Sequence, residues 1–177
     1  MTIRITGPES SGKTTLAQAL AWSLDGWLVA EQARPYLAEL GRPYQEHDLP
    51  LIWEAQQRAE YTARSSGASF IICDTGPEVI RIWSKVKYGR CAASVLSACK
   101  VVPYDLTLLC APDLPWTYDP MREHPEGGAR WGLFARYREL LPNAGVVRAE
   151  YRIEQAVTYV NEWLEIQRSS GLRPEHV

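Results

Sequence analysis

A glycine-bounded run near the N-terminus constrains the fold of this chain more than any other feature. Residues 7–14 read Gly-Pro-Glu-Ser-Ser-Gly-Lys-Thr, which matches the pattern G-x-x-x-x-G-K-[ST]. The run follows a short segment of alternating apolar residues at 2–6, and a helical pattern begins directly after it at 15–21. This order of strand, loop and helix is the context that the pattern requires. The sequence therefore predicts a phosphate-binding loop (P-loop) on an α/β fold.

The residue types in the loop fit the binding of a nucleoside triphosphate. Gly7 and Gly12 allow a tight turn in which backbone N–H groups point inward at a helix N-terminus. Lys13 would bring a positive charge to the β- and γ-phosphates, and Thr14 would offer a hydroxyl to Mg²⁺. A glycine-bounded helix cap without a ligand is the alternative. We expect ATP and Mg²⁺ to bind through Gly7, Glu9, Ser10, Ser11, Gly12, Lys13, Thr14 and Thr15.

Strand-like apolar runs alternate with helical patterns along the rest of the chain. Strands are predicted at 27–30, 70–73, 104–110 and 145–148, and helices at 33–40, 49–65, 77–87, 92–100, 129–140 and 153–167. Such alternation predicts a three-layer α/β/α P-loop NTPase fold with a five-stranded parallel sheet, in which ligands bind at the carboxyl ends of the strands. We expect one domain over residues 1–168, with a lid at about 111–130, and a frayed tail over 169–177.

Composition narrows the possible partners. The 177 residues carry a net charge of -2, which gives no electrostatic reason to expect nucleic acid or an anionic membrane as a partner. No apolar stretch is long enough to cross a membrane, and the N-terminus has no signal-peptide pattern. The four cysteines lack C-x-x-C spacing, and the three histidines lack metal-site spacing. We therefore expect a cytoplasmic protein with reduced cysteines and a small-molecule substrate. No feature of the sequence sets an oligomeric state.

Two carboxylates are predicted at the carboxyl edge of the sheet. The apolar run 70–73 delivers Asp74 to this edge, where it could hold Mg²⁺ or act in catalysis; a helix N-cap is the alternative. The strand at 27–30 ends just before Glu31, which could accept a proton from an acceptor hydroxyl or hold sugar hydroxyls. Arg34 could brace an anion or the same carboxylate. The alternative for Glu31 is a residue favoured by the dipole of a helix N-terminus.

The segment 111–130 is rich in proline, glycine and charged residues, which is typical of a mobile lid. Arg122 and Arg130 could move onto the phosphates when the lid closes, excluding water and stabilising charge on the transferred phosphoryl group.

Aromatic and amide side chains are candidates for contact with a ring. The helical spacing of Trp22, Trp53 and Trp163 predicts packing in the core or at its rim. Trp83 and Trp116 could instead stack on a ligand ring. Gln56 could hydrogen-bond an amide or a base edge, with a solvent-facing glutamine as the alternative.

Together these pieces resemble the ribosylnicotinamide kinase domain of NadR-type proteins. The likeness covers residues from about 3 to 145. It rests on the loop at 7–15, Glu31-x-x-Arg34-x-Tyr36, Gln56, Cys73-Asp74-Thr75, Ile82-Trp83, Tyr104-Asp105-Leu106 and Pro115-Trp116-x-x-Asp119-x-x-Arg122. The P-loop is shared by a whole superfamily of nucleoside and nucleotide kinases and their relatives. The Glu-x-x-Arg segment and the arginine-bearing lid are the narrower signal.

The resemblance implies transfer of the ATP γ-phosphate to the 5′-hydroxyl of nicotinamide riboside, which gives nicotinamide mononucleotide. The cationic pyridinium would suit an aromatic face such as Trp83 or Trp116. The ribose hydroxyls would match Glu31 or Asp119, and the carboxamide would match Gln56. Arg34 and Tyr36, from the Glu-x-x-Arg-x-Tyr segment, would also contact the substrate. The resemblance leaves Glu31 and Asp74 open as the base, with Glu31 slightly favoured for the acceptor and Asp74 for the metal.

Three other functions use some of the same residues. A kinase of another nucleoside or metabolite would need the same loop, carboxylates and lid. A GTPase switch is disfavoured because Asn143 and Asn161 are the only asparagines and neither lies in an Asn-Lys-x-Asp segment. A motor ATPase or a non-catalytic ATP-binding module is disfavoured because Thr75 follows Asp74, where ATPases commonly carry a glutamate.

Overall fold

A five-stranded parallel sheet forms the centre of the structure, a computed structural model that describes residues 1–118 and 127–170. The strands are β1 (Thr2–Thr6), β2 (Trp27–Val29), β3 (Ile71–Asp74), β4 (Leu106–Cys110) and β5 (Gly145–Val147). They lie in the order β2-β3-β1-β4-β5, so β1 pairs with β3 on one side and with β4 on the other. β3 lies between β2 and β1, and helices cover both faces of the sheet. This interior position explains the continuous apolar run in β3.

Helices pack on both faces of the sheet and complete the three layers. They are α1 (Lys13–Ser23), α2 (Ala33–Glu39), α3 (Asp48–Arg64), α4 (Pro77–Tyr88), α5 (Ala93–Val101), α6 (Gly127–Leu140) and α7 (Arg152–Ser169). Helices α1 and α7 form one core with the strands, and α3 to α6 pack against the opposite face. The predicted fold is therefore confirmed.

The alternating residues of β1 face two different environments. Ile3 and Ile5 are fully buried beneath α1 and α7. Arg4 points to the opposite face, where its Nη1 donates to Glu78 Oε2 at 2.7 Å and its Nη2 donates to Thr107 Oγ1 at 2.9 Å. A buried guanidinium requires such partners. The pair therefore links the central strand to the first turn of α4.

One tryptophan prediction is wrong. Trp22 is 89% exposed, although its helical spacing was expected to place it in the core or at its rim. The buried face of α1 contains Leu16, Ala17, Leu20 and Ala21, and Trp22 lies on the other side of the helix. Trp53 is buried, as predicted, and Trp163 is half-buried.

Other expectations concern the cysteines, membrane helices and the lid. Cys73 and Cys110 are buried in β3 and β4, and all four cysteines are free. In the described part of the chain, no helix is long and apolar enough to span a bilayer. The predicted lid residues Asp119 and Arg122 lie outside the described residues, as does most of the predicted tail.

Candidate active site

The P-loop connects β1 to α1 by a path that only glycine allows at two points. Gly7 and Gly12 have φ values of +141° and +75°. A Cβ on Gly7 would lie 2.6 Å from the carbonyl oxygen of Cys110, and one on Gly12 would lie 2.5 Å from Nη1 of Arg152. Both glycines therefore combine an unusual backbone conformation with a close approach to another part of the chain.

Polar contacts inside the loop shape its interior. Lys13, the first residue of α1, donates from Nζ to the Pro8 carbonyl at 2.9 Å. Ser11 donates from its hydroxyl to the same carbonyl at 2.7 Å. The loop borders a cavity of about 260 Å³, and all the predicted loop residues line it: Gly7, Glu9, Ser10, Ser11, Gly12, Lys13, Thr14 and Thr15.

Asp74 ends β3 beside the loop, in register with Ile5 of the central strand. Its side chain is 1% exposed, and neither carboxylate oxygen has a hydrogen-bond partner of good geometry among the described residues. Burial raises the pKa of Asp74, while the nearby Thr14 hydroxyl and the Lys13 ammonium partly lower it. A buried carboxylate without partners is costly, so Asp74 is suited to bind a cation or a proton.

The turn after Asp74 is tightly constrained. Thr75 has a φ of +81°, which is rare for a β-branched residue, and its N–H donates to the Ile5 carbonyl at 2.9 Å. A Cβ on Gly76 would lie 2.6 Å from Cδ of Arg4. Strained backbone of this kind collects at functional sites. Because Gly76 belongs to this turn, the close approach of Arg4 shows that the buried Arg4 side chain packs directly against the turn that follows Asp74.

Glu31 follows β2 and is the second carboxylate at this edge. Its side chain is 15% exposed, and Nε of Arg34 lies 3.4 Å from its Oε2. Burial raises the pKa of Glu31; the Lys13 ammonium opposes this shift, and the negative charge of Asp74 adds to it. Because both charges act on its titration, Glu31, Lys13 and Asp74 form one electrostatic cluster.

Beyond the loop, the cavity continues between α2, α4 and α6. Its wall is mainly apolar and aromatic: Ala33, Arg34, Leu37, Tyr44, Val79, Ile82, Trp83, Val86, Lys87, Leu133 and Tyr137. The rings of Trp83 and Tyr44 stack with centroids 6.1 Å apart. The cavity thus has a polar end at the loop and an aromatic end along α4, the combination of apolar walls and a few polar groups that is typical of small-molecule sites.

Two predicted substrate contacts lie behind the cavity wall. The Tyr36 hydroxyl donates to Oδ1 of Asp48 at 3.1 Å. Gln56 is buried, and its Oε1 accepts from the N–H of Gln32 at 3.0 Å. Both side chains support the segment that follows β2, and neither lines the cavity.

Two further residues with predicted roles, Trp116 and Arg130, do not line the cavity. Trp116 packs edge-on against Tyr118 with ring centroids 6.1 Å apart. Arg130, at the start of α6, donates from Nη1 to the Leu114 carbonyl at 3.2 Å. The N–H of Thr117 donates to the hydroxyl of Ser10 at 3.1 Å, so this segment rests on the P-loop.

Sequence analysis missed several residues of the site. Tyr44, Lys87 and Tyr137 line the cavity, and Arg152 supports the P-loop from outside. Arg152 donates from Nη1 to the Ser11 carbonyl at 2.6 Å, although a positive charge in the first turn of a helix opposes the helix dipole. The sequence pattern predicted this helix to begin at 153, so it did not indicate a role for Arg152.

Comparison with known proteins places the chain in a family and identifies structures of the same fold. A family of AAA domains matches residues 2–159, and no curated protein matches significantly. The structure resembles NadR protein, solved in complex with NR and with NAD and AMP-PNP, at 20% identity and TM-scores of 0.72 and 0.70. These matches cover 99% of this chain and 53% and 51% of those chains, so the chain spans about half the length of NadR.

Two kinases resemble the structure over nearly their whole length. Thymidylate kinase from Ehrlichia chaffeensis has a TM-score of 0.62 at 18% identity, covering 93% of this chain and 98% of that one. Deoxyadenosine kinase from M. mycoides has a TM-score of 0.61 at 14% identity, covering 92% and 100%. At these identities the likeness shows a shared fold. Because the family match spans residues 2–159, the chain belongs to that family of AAA domains.

Proposed function

We propose that the chain is an ATP-dependent kinase that phosphorylates the 5′-hydroxyl of nicotinamide riboside and gives nicotinamide mononucleotide. One observation carries the proposal: Lys13 and Glu31 line the cavity that joins the P-loop to the aromatic wall, and the charge of the buried Asp74 acts on Glu31. The fold shared with NadR protein in complex with NR, and with two nucleoside and nucleotide kinases, supports it. The free cysteines support a cytoplasmic location.

The loop end of the cavity provides the positive charge that phosphoryl transfer needs. The N–H groups at the start of α1 and the Lys13 ammonium would bind the β- and γ-phosphate oxygens. Arg152 holds the Ser11 carbonyl in place and so fixes the loop geometry. Groups that are already oriented stabilise the charge that develops during transfer without a reorganisation cost.

Asp74 and Thr14 fit a magnesium ion. The two oxygens of Asp74 are buried and lack partners in the described part of the chain, and the Thr14 hydroxyl is nearby. Oxygen ligands of this kind suit Mg²⁺, with the phosphates as further ligands. When bound, Mg²⁺ neutralises negative charge on the phosphates. Assigning Asp74 to the metal leaves Glu31 to act on the acceptor.

Glu31 would accept the proton of the attacking hydroxyl. Its raised pKa makes it a stronger base than an ordinary glutamate, and Arg34 orients its carboxylate from 3.4 Å. Trp83, on the adjacent wall, would pack against the aromatic ring of the acceptor. The acceptor therefore lies between the catalytic carboxylate and the aromatic end of the cavity.

A kinase of another nucleoside is the second candidate. The deoxyadenosine and thymidylate kinases share the fold over nearly their full length, and the loop and carboxylates would serve either acceptor. ATP hydrolysis without an acceptor is disfavoured because buried Thr75 follows Asp74 and cannot activate water as a carboxylate would. The cavity also extends beyond the loop along α4, and ATP hydrolysis alone gives no reason for this aromatic end.

Acceptor-dependent ADP release with Mg²⁺-ATP tests the proposal. Nicotinamide riboside is compared with a panel of nucleosides and sugars, and the product is identified by mass. Lys13→Ala, which removes the phosphate-binding cation, serves as the control for contaminating kinases. Stimulation by nicotinamide riboside in the wild type alone supports the proposal. If a different nucleoside stimulates ADP release, the proposed acceptor is wrong and the kinase reaction stands. If the rate of ADP release is the same with every acceptor, the proposed kinase reaction is wrong.

A further inference from the structure

A buried ion pair packs against the turn that follows Asp74. Arg4, in the central strand β1, is in register with Cys73, the residue before Asp74. Its Nη1 lies 2.7 Å from Oε2 of Glu78, and the exposed fractions of the two side chains are 9% and 2%. A Cβ on Gly76 would lie 2.6 Å from Cδ of Arg4 and 2.7 Å from Oε2 of Glu78. Both members of the pair therefore contact the backbone of Gly76, two residues after Asp74.

The polar groups of this pair are only partly satisfied. Arg4 also donates from Nη2 to Thr107 Oγ1 at 2.9 Å, and its Cζ lies 4.4 Å from the centroid of the Tyr104 ring. Its Nε and the Oε1 of Glu78 are buried without a hydrogen-bond partner among the described residues. Replacing a buried ion pair by apolar side chains of similar volume is often neutral or stabilising. Stability alone therefore gives no reason for a charged pair at this position.

The turn that the pair contacts has an unfavourable backbone conformation. The φ of Thr75 is +81°, and a hydrogen bond from its N–H to the Ile5 carbonyl at 2.9 Å ties this residue to β1. A strained conformation persists only where the surrounding structure enforces it. Glu78 lies in the first turn of α4, so its bond to Arg4 ties the other end of the same turn to β1. The turn is therefore fixed to the central strand at both of its ends.

We propose that the Arg4–Glu78 pair positions the strained turn at 74–76 and thereby fixes the Asp74 carboxylate relative to the P-loop. The inference rests on the proposed kinase function, in which Asp74 would hold Mg²⁺ beside Thr14. β1 leads directly into the P-loop, so a turn that is fixed to β1 is fixed relative to the phosphate site as well. Among the described residues that line the cavity, neither Arg4 nor Glu78 is present, so both act through the turn.

The test replaces the pair by apolar side chains of similar size, in the double variant Arg4→Met/Glu78→Met. Because both charges are removed together, neither residue is left as an unpaired buried charge, and the Tm should equal or exceed that of the wild type. Hydrogen exchange without metal or nucleotide then measures the turn itself. The Thr75 N–H should exchange about tenfold faster relative to the Ala111 N–H, which donates to the Val147 carbonyl in another part of the sheet.

Binding and rate measurements show whether the position of the turn matters for the site. Calorimetry gives the ratio of the affinities for ATP with Mg²⁺ and with EDTA. This ratio should fall about tenfold in the double variant while the affinity in EDTA is unchanged, because residues that orient a metal ligand commonly affect metal affinity this much. For the same reason kcat should fall about tenfold or more. A loss of stability alone would change neither the affinity ratio nor the exchange ratio.

Arg64→Met is the matched control for a buried carboxylate that loses its partner. Arg64 donates from Nη2 to the fully buried Glu60 at 3.0 Å, and its Cζ lies 5.6 Å from the same Tyr104 ring that Arg4 contacts. Its hydrogen bonds within the described residues go to Glu60 and to the Pro103 carbonyl. The variant should be less stable than the wild type, with both ratios unchanged.

The outcomes distinguish this inference from the proposed function. Faster Thr75 exchange together with a smaller Mg²⁺ effect supports it. An unchanged exchange ratio refutes the pair as the support of the turn, and an unchanged Mg²⁺ effect refutes its link to Asp74. If the wild type binds ATP but phosphorylates no acceptor, the proposed function fails, while exchange and binding still decide the role of the pair. If the double variant does not fold, Arg4→Lys provides the same comparison, because an ammonium cannot reproduce the forked bonds of a guanidinium.

Discussion

Replacing Asp74 by asparagine should make the protein more stable and inactive at the same time. The folded chain buries the Asp74 carboxylate almost completely and, within the described residues, gives its oxygens no hydrogen-bond partner of good geometry, with the Thr14 hydroxyl nearby. Asparagine has nearly the same shape and no charge. The substitution therefore removes an unfavourable charge from the fold, and removes the ligand that we propose for Mg²⁺.

The size of the effect follows from the cost of burying an unpaired polar group, which is about 1–3 kcal/mol. The asparagine amide stays buried and keeps part of this cost, so we expect a gain of about 1–2 kcal/mol at pH 8. For a chain of this length each kcal/mol shifts Tm by about 2–4 °C. The predicted increase in Tm is therefore about 2–8 °C.

The stability gained by Asp74→Asn should depend on pH in a direction that can be checked. Burial raises the pKa of Asp74 above its ordinary value of 3.8, so the folded state binds this proton more tightly than the unfolded state. The free-energy cost of burying the charged carboxylate is complete above the raised pKa. It decreases as the pH falls through that pKa, and it is absent below the ordinary value. The advantage of Asp74→Asn should therefore be largest at pH 8 and shrink towards pH 4.

Urea unfolding at pH 8 and at pH 5, with EDTA and without nucleotide, measures this difference. Asp25→Asn is the matched control: Asp25 is exposed, and its replacement should change stability by less than about 0.5 kcal/mol. Stabilisation by Mg²⁺-ATP should be seen in the wild type and be lost in Asp74→Asn. An Asp74→Asn protein that is less stable than the wild type at both pH values would refute the reasoning, because the carboxylate would then have favourable contacts in the fold.

Three further predictions address the rest of the site. Glu31→Gln should lower kcat about 10²–10⁴-fold and remove the acidic limb of the pH–rate profile, which the raised pKa of Glu31 places above pH 4.5; an unchanged limb would assign it to another group. Arg152→Ala should raise the KM for ATP about three- to tenfold and change kcat less, since it removes a charge-assisted bond to the loop; equal effects on both in steady-state kinetics would contradict a purely positioning role. Gly76→Ala should lower the free energy of unfolding by about 1–3 kcal/mol, because the new Cβ would lie 2.6 Å from Arg4, whereas Gly128→Ala, with open space around it, should be neutral or stabilising in the same urea assay.

The sequence was sufficient to predict the sheet and the phosphate end of the site. Strands such as β3 appear in the sequence as short apolar runs. The P-loop residues are consecutive, so a short sequence pattern is enough to predict how they are arranged in space. Asp74 could be placed because a residue that directly follows a parallel strand must lie at the carboxyl edge of the sheet.

The acceptor end could not be predicted in the same way. Val79, Ile82, Trp83 and Val86 recur at helical spacing along α4, a pattern that core packing produces equally well. In the structure the start of this stripe is buried, while Val86 is exposed at the cavity. The helix pattern does not show where the core ends and the cavity begins. That position depends on Tyr44 and Tyr137, which the fold brings in from distant parts of the chain.

The central position of β1 also governs when during synthesis the site can form. β1 is made first, but its two neighbours are β3 and β4, whose residues follow it by about 70 and 100 positions. Gly7 packs against the carbonyl of Cys110, the last residue of β4. Contacts of such high sequence separation form late and slow the folding of α/β chains. A nascent chain shorter than 110 residues therefore lacks the strand end against which Gly7 of the P-loop packs, and we expect ATP to stabilise the protein only after the ribosome has released β4.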